Sequence, residues 1–378
     1  MNFLQHPNEI LSRIISFLDA PSPFDADILQ KPKSGLIPFE SEAGIELTSI
    51  PTSLHRPHAL KNLTLTCRLL RTLTLPVLFK HSVLHPLLLS DFLSFLKRHN
   101  LNQYVVSVVA HVPGHYNHIH PAWWARLLNE VPAIRFSIVA APEILTELAG
   151  ICSWTSDAWA FDMAFQILRL DQTLEAARTP IDYDDLPNFL VARPWQNMVV
   201  NEGSSLLAYT TYEFFLRRTP SLLTALHSNN SAAGDALFSN LLSFDFISIF
   251  PFYNHVDEVL KSVRKMRRLR RLFVKLCPEP HSTVFRDEIE LAGGAIDIHD
   301  PWNECETSWS LIAHSVVFLT TEGQLSELQM DDVKVEGIRQ RLEQNVSSLL
   351  QERWRYEDPR SGIWRRIKDP GATTTGIA

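Results

Sequence analysis

The densest run of charged side chains is KSVRKMRRLRRLFVK at 261–275, where eight cations fall within fifteen residues. A guanidinium takes carboxylate or phosphate oxygens through two parallel hydrogen bonds, so Arg264, Arg267, Arg268 and Arg271 are candidate ligands for an acidic or phosphorylated protein target. The same run also fits a nuclear-localisation signal. A third reading is a helix end running into a strand, with cations at the negative pole of the dipole and their stems covering apolar neighbours.

Other groups have the right chemistry but weaker spacing. His111, His115, His118 and His120 crowd into HVPGHYNHIHP, and neutral imidazole is a good zinc ligand. The run is rich in turn formers and has no nearby carboxylate or cysteine, so no metal is expected there. Asp182, Asp184 and Asp185 could offer hard oxygens to Mg²⁺ or Ca²⁺, and serve equally as a capped helix start. Trp123, Trp124, Trp154 and Trp159 are of the type enriched at recognition surfaces, against a default role in the core. Cys67, Cys152, Cys277 and Cys305 lie far apart, which indicates neither a zinc ribbon nor a disulfide scaffold and fits a reducing compartment. Phosphate-binding glycine loops, a G-x-S-x-G elbow and H-E-x-x-H are all missing from the sequence, and no catalytic residue or cofactor is expected.

The elements that must position such groups can be read from periodicity. With 45% hydrophobic residues the chain of 378 should bury a large core. A net charge of −7 gives no global attraction to a polyanion, so nucleic acid is not an expected partner. No apolar stretch is long enough for a membrane span, and the expected location is cytoplasm or nucleus. In NEILSRIISFL, Ile10, Leu11, Ile14, Ile15 and Leu18 make one helical stripe that Pro7 starts. Residues 20–58 contain six prolines and no sustained period, which predicts a long loop whose replacement costs little stability. Leu60, Leu63, Cys67, Leu70 and Leu73 form a second stripe, ended before Pro76, which would open a short third helix.

From residue 86 helical and β-branched segments alternate. Strands are expected at 104–112, 134–141, 165–170, 206–215, 244–250, 269–276 and 326–333, separated by helices such as VDEVLKSVRKM, SWSLIAHSVVFL and VEGIRQRLEQNVSSLLQERW. A strand–helix unit recurring every ~25–45 residues fits a repeat solenoid, or a doubly wound α/β sheet. The tail, 369–378, is small and polar and should fray.

The N-terminal string resembles the F-box, a three-helix module that docks on the Skp adaptor of cullin–RING ubiquitin ligases. The matching residues are Pro7 with Glu9, Ile10 and Leu11, then Ile14 and Leu18, then Leu63, Cys67, Arg68, Leu70 and Leu73, and the ending Pro76, Leu78 and Phe79. Almost forty residues separate the first two helices, where the family has a short link. The resemblance implies adaptor contacts from Leu4, Pro7, Ile10, Leu11, Ile14, Leu18, Leu63, Cys67, Leu70, Pro76 and Leu78. It also implies a C-terminal recognition domain, and the alternation here looks like an irregular leucine-rich array. The expected architecture is therefore α/β with an all-α N-terminal module. It comprises a three-helix cap over 1–85 with the Pro-rich insertion at about 20–58, a repeat-like solenoid over 86–368, and the tail. The implied role is a non-catalytic substrate receptor. A scaffold outside any ligase, or an α/β enzyme with scattered site residues, are the other classes left open.

Overall fold

The computed structural model describes residues 3–19, 25, 28–32, 39–41, 44–46, 58–112, 122–152, 156–161, 163, 165–181, 188–228, 231–350, 353–358 and 360–367. His115, His118, His120, Trp154, Asp182, Asp184, Asp185, most of the insertion and the tail 369–378 lie outside these residues.

Three helices open the chain: α1 (Asn8–Ser16), α2 (His58–Thr66) and α3 (Arg68–Phe79). Leu60, Leu70 and Ile15 form their shared core, with Leu63, Cys67, Leu73, Val77 and Leu78 half-buried around it. The helix boundaries differ from those expected. The break falls at Cys67, which is extended and whose sulfur accepts a hydrogen bond from the Leu70 amide at 3.5 Å, capping α3. Pro76 sits inside α3 and does not start a new helix; buried Leu70, Thr74 and Leu75 hold the helix across the one hydrogen bond that proline removes. The Lys80 ammonium pairs with Asp19 and ties the end of α1 to the end of α3.

The remaining chain is mixed α/β around one ten-stranded sheet. In order along the chain it runs β1 (His81–Leu84), α4 (Leu89–Arg98), β2 (Ser107–Val112), α5 (Trp123–Glu130), β3 (Arg135–Ala140), α6 (Pro142–Leu148), β4 (Gln166–Asp171) and α7 (Leu174–Arg178). Then come β5 (Asn197–Ser204), α8 (Leu222–Ser228), α9 (Ala232–Asn240), β6 (Ser243–Ile249), α10 (Tyr253–Lys265), β7 (Arg271–Lys275), α11 (Val284–Leu291) and α12 (His299–Glu322). The chain ends in β8 (Glu327–Met330), α13 (Glu336–Leu350), β9 (Trp354–Tyr356) and β10 (Ile363–Arg366). A separate hairpin joins Phe39–Ser41 to Gly44–Glu46.

Strands β1 to β8 lie side by side in strict chain order, followed by β10 and then β9 at the edge. Neighbours are parallel except around β4, which is antiparallel to both β3 and β5, and in the β8–β10–β9 end. Side chains alternate between the two faces of a strand. One face carries Val108, Phe136, Leu168, Met198, Phe244, Leu272 and Leu328, which share the main core with residues of α4–α6, α8–α10, α12 and α13. The opposite face has a smaller cluster of Val109, Val139, Phe165, Ile167, Val199, Ile247 and Phe273, covered by Ile28 and Leu29. Among the described residues no helix joins that second cluster, which distinguishes the sheet from a doubly wound one, where helices cover both faces.

Two further expectations are corrected. Residues 206–215 form 3₁₀ turns, Leu206–Thr210 and Phe214–Leu216, and the strand lies earlier, at β5. The insertion is no detached loop, because Ile28 is 4% exposed and the Asn201 side chain donates to the carbonyls of Ile28 and Gln30, both at 2.7 Å.

Candidate functional site

Two surfaces combine chemistry with accessibility. The first is the outer side of α1. Leu11 and Ile15 face inward and are buried, whereas Leu4, Ile10, Ile14 and Leu18 are exposed and Phe17 is 78% exposed. A nine-residue helix with apolar side chains on both faces satisfies only one of them by folding. Of the expected adaptor residues, Leu11 and Leu70 are core, Leu63, Cys67, Pro76 and Leu78 are half-buried, and Leu4, Pro7, Ile10, Ile14 and Leu18 are reachable.

The second surface is the sheet face turned away from the helices. Register aligns His81, Ser107, Arg135, Asp171, Asn197, Ser243, Arg271, Glu327, Arg365 and Arg355 in one row across all ten strands. The next row reads Val83, Val109, Ser137, Arg169, Val199, Asp245, Phe273, Gln329 and Ile363. Arg271 donates to Asp245 at 2.7 Å and Gln329 at 3.0 Å, and lies 3.3 Å from Glu327. Burial pushes the Asp245 carboxyl up, against the pull of Arg271. Toward β3 and β4, Asp25 meets Arg135 Nη1 with both oxygens at 2.8 Å and Arg169 Nη1 at 3.2 Å.

The four arginines expected to form one patch are brought together only in part: Arg264 and Arg267 lie over the same Phe318 ring, whereas Arg271 is on the other face of the sheet. Arg264 packs on the helical side, donating to Ser315 of α12 at 3.0 Å with its guanidinium 5.9 Å from the Phe318 ring centre. Arg267 lies 3.6 Å from Glu322 in a solvent-exposed pair, and Arg268 is exposed. Arg271 emerges on the opposite sheet face because the helix ends at Lys265 and Leu269 turns inward before β7 begins. The residues missed by sequence reading, Arg135, Arg169, Asp171, Asp245 and Glu327, carry a readable signal. They are charges at alternate positions of otherwise apolar strands, and period two puts them all on one face.

His111 is a core residue of β2, 5.3 Å from the Phe165 ring. Burial, with some help from His85, lowers its pKa to about 4 from 6.5. Between those values the unfolded chain binds the proton that the native state rejects, so stability is full above pH 6.5 and falls as pH drops toward 4. The loss is on the order of 3 kcal/mol. His111→Leu should flatten this dependence in denaturant melts at pH 7.5 and pH 4.5; an unchanged slope would refute it. Trp123 and Trp124 are also core, while Trp159 is exposed under the Arg217 guanidinium at 5.1 Å.

A cleft of about 580 Å³ is lined among others by Cys152, Arg217, Thr219 and His255. Behind it His255 Nε2 lies 2.6 Å from Glu202, and the Ser221 hydroxyl donates to the same carboxylate. Serine and histidine thus meet the two oxygens of one acid and not each other, an arrangement different from a serine–histidine pair. Ser221 Oγ also accepts from the amides of Leu223 and Thr224, which makes it the cap of α8.

No helix among the described residues is long and apolar enough to cross a membrane. No protein-family model, curated protein or solved structure matches this chain.

Proposed function

We propose that this chain is the substrate-receptor subunit of an SCF-type cullin–RING ubiquitin ligase, with α1–α3 docking on the Skp adaptor and the sheet domain holding a protein target. The observation that carries this reading is the two-sided apolar character of α1: Leu11 and Ile15 close the module, and Ile10, Ile14, Phe17 and Leu18 are left as an outward apolar face. The order of β2–β8, with the helices on one side, supports treating residues 86–368 as an irregular repeat array, although β1 lies before it and antiparallel β4 departs from a regular one. In this reading the open sheet face is the target surface. Its role is proximity: a target lysine held near a ubiquitin-loaded enzyme raises the effective concentration, and the chain needs no nucleophile or cofactor of its own.

The test is co-purification of the full chain with a Skp adaptor. Ile10→Asp with Ile14→Asp is predicted to reduce capture about a hundredfold or more, since central apolar anchors carry most interface energy. Both side chains are already exposed, so the denaturation midpoint should barely move. Undiminished capture by the double variant would overturn the assignment.

A further inference from the structure

The open face is not bare. Asp25 and residues 28–31 lie across its middle and use contacts of several kinds. The Asp25 carboxylate sits between Arg135 and Arg169, which are themselves steadied by Asp171 at 3.3 and 3.7 Å. Three residues on, Ile28 is sunk among Val109, Val139, Ile167, Val199, Ile247 and Phe273, with Leu29 beside it. The Asn201 amide holds two carbonyls of the segment, and its own oxygen is oriented by the Gly203 amide at 2.9 Å. Lys31 pairs with Glu288 at 2.6 Å, whose other oxygen accepts from Ser204 at 2.7 Å.

These contacts are made by side chains of the sheet face and by Glu288 of α11, and among its described residues the segment contributes one deeply buried side chain, Ile28. Its ion pairs at Arg135 are about one-third exposed on each partner, a setting in which salt bridges hold weakly. Such an arrangement anchors the segment by one core side chain, Ile28, and by polar contacts on either side of it.

We propose that this segment is a built-in occupant of the target surface, and that the external partner is a short protein segment of the same chemistry: an acidic residue, two aliphatics three and four positions later, and a cation two positions after those. This rests on the reading of the open face as the target surface. The segment competes with the target, so the resting chain is self-blocked. The pattern is D-x-x-I-L-x-K in this chain, and Arg135 with Arg169 sets the acidic position.

The probe is a labelled synthetic peptide of residues 22–34 titrated into the full-length chain. Wild type should bind it at least tenfold more weakly than Asp25→Arg with Ile28→Asp, which ejects the segment. Adding Arg169→Glu to that variant should remove the binding, and a scrambled peptide should not bind. If the double variant is folded and binds no better than wild type, the segment is a fixed structural element and the proposal fails. Should the double variant unfold, Asp25→Ala, which leaves Ile28 seated, is the decisive case. A severalfold gain in peptide binding is expected, and no gain overturns the proposal. Adaptor co-purification run on the same variants keeps the two readings apart. Intact capture without peptide binding rejects only the self-blocking proposal, and peptide binding without capture rejects only the ligase assignment.

Discussion

Asp332→Ala is expected to lower the unfolding free energy by about 4 kcal/mol, because a buried donor stripped of its acceptor costs roughly 1–3 kcal/mol and three are stripped at once. Asp332 is fully enclosed beside the end of β7. Its Oδ1 accepts from the Leu276 and Cys277 amides at 2.9 and 2.8 Å, and its Oδ2 from the Trp309 indole at 3.0 Å. Burial pushes its pKa up, opposed by Lys275 and these three donors. Lys275 is itself 2% exposed on its side chain. Burial alone would lower its pKa, but Asp331 at 3.0 Å and Glu279 at 2.9 Å prevail and hold it above the usual lysine range. One residue thus joins β7, α12 and the turn after β8. Asp332→Asn, which keeps an acceptor for the two backbone amides, should lose visibly less. Denaturant midpoints at constant slope would measure both, and an alanine variant within 1 kcal/mol of wild type would contradict the account.

The second large effect is expected at Gly362, where alanine should cost about 3 kcal/mol and loosen the last hairpin. Gly362 has φ +64°, and a Cβ there would run into the Met330 carbonyl oxygen and come within 2.7 Å of Val333 Cγ2. The Met330 amide donates to the Gly362 carbonyl at 2.9 Å, so the backbone cannot withdraw without giving up the join between β8 and β10. Behind it Trp364 is buried, stacks on Tyr356 at 4.5 Å and donates to Ser347 at 3.0 Å. Amides of Ile363–Arg366 should exchange markedly faster in Gly362→Ala. Unchanged protection there would show that the turn has room that this geometry denies it.

The stripe Ile10, Leu11, Ile14, Ile15 is legible because a helix obeys its own period, and β2, β3, β6 and β7 are legible because β-branched runs prefer extended backbone. Strand β5 escaped notice because Asn201, Glu202, Gly203 and Ser204 look like a loop in sequence. Each is buried, and the three polar side chains are held by groups remote in the chain: Ile28 and Gln30, Ser221 and His255, and Glu288. At Pro76 local preference favours a boundary, and the packing of α3 overrides it.

Local chemistry by itself determined strands β2, β3, β6 and β7, the inward stripe of α1, and that Arg271 and Phe273 share a strand face, where the ring lies 5.5 Å from the guanidinium. Only the tertiary structure decided that β4 runs against its neighbours, and that one row aligns Arg135, Asp171, Arg271 and Glu327 from four separate strands. It alone placed Ile28, from a proline-rich insertion, on that face. The physical reason is the range of the forces. Backbone preference and periodicity act over a few residues, whereas strand register depends on partners tens of residues away and the burial of Ile28 on partners more than eighty residues away, whose positions no local pattern encodes.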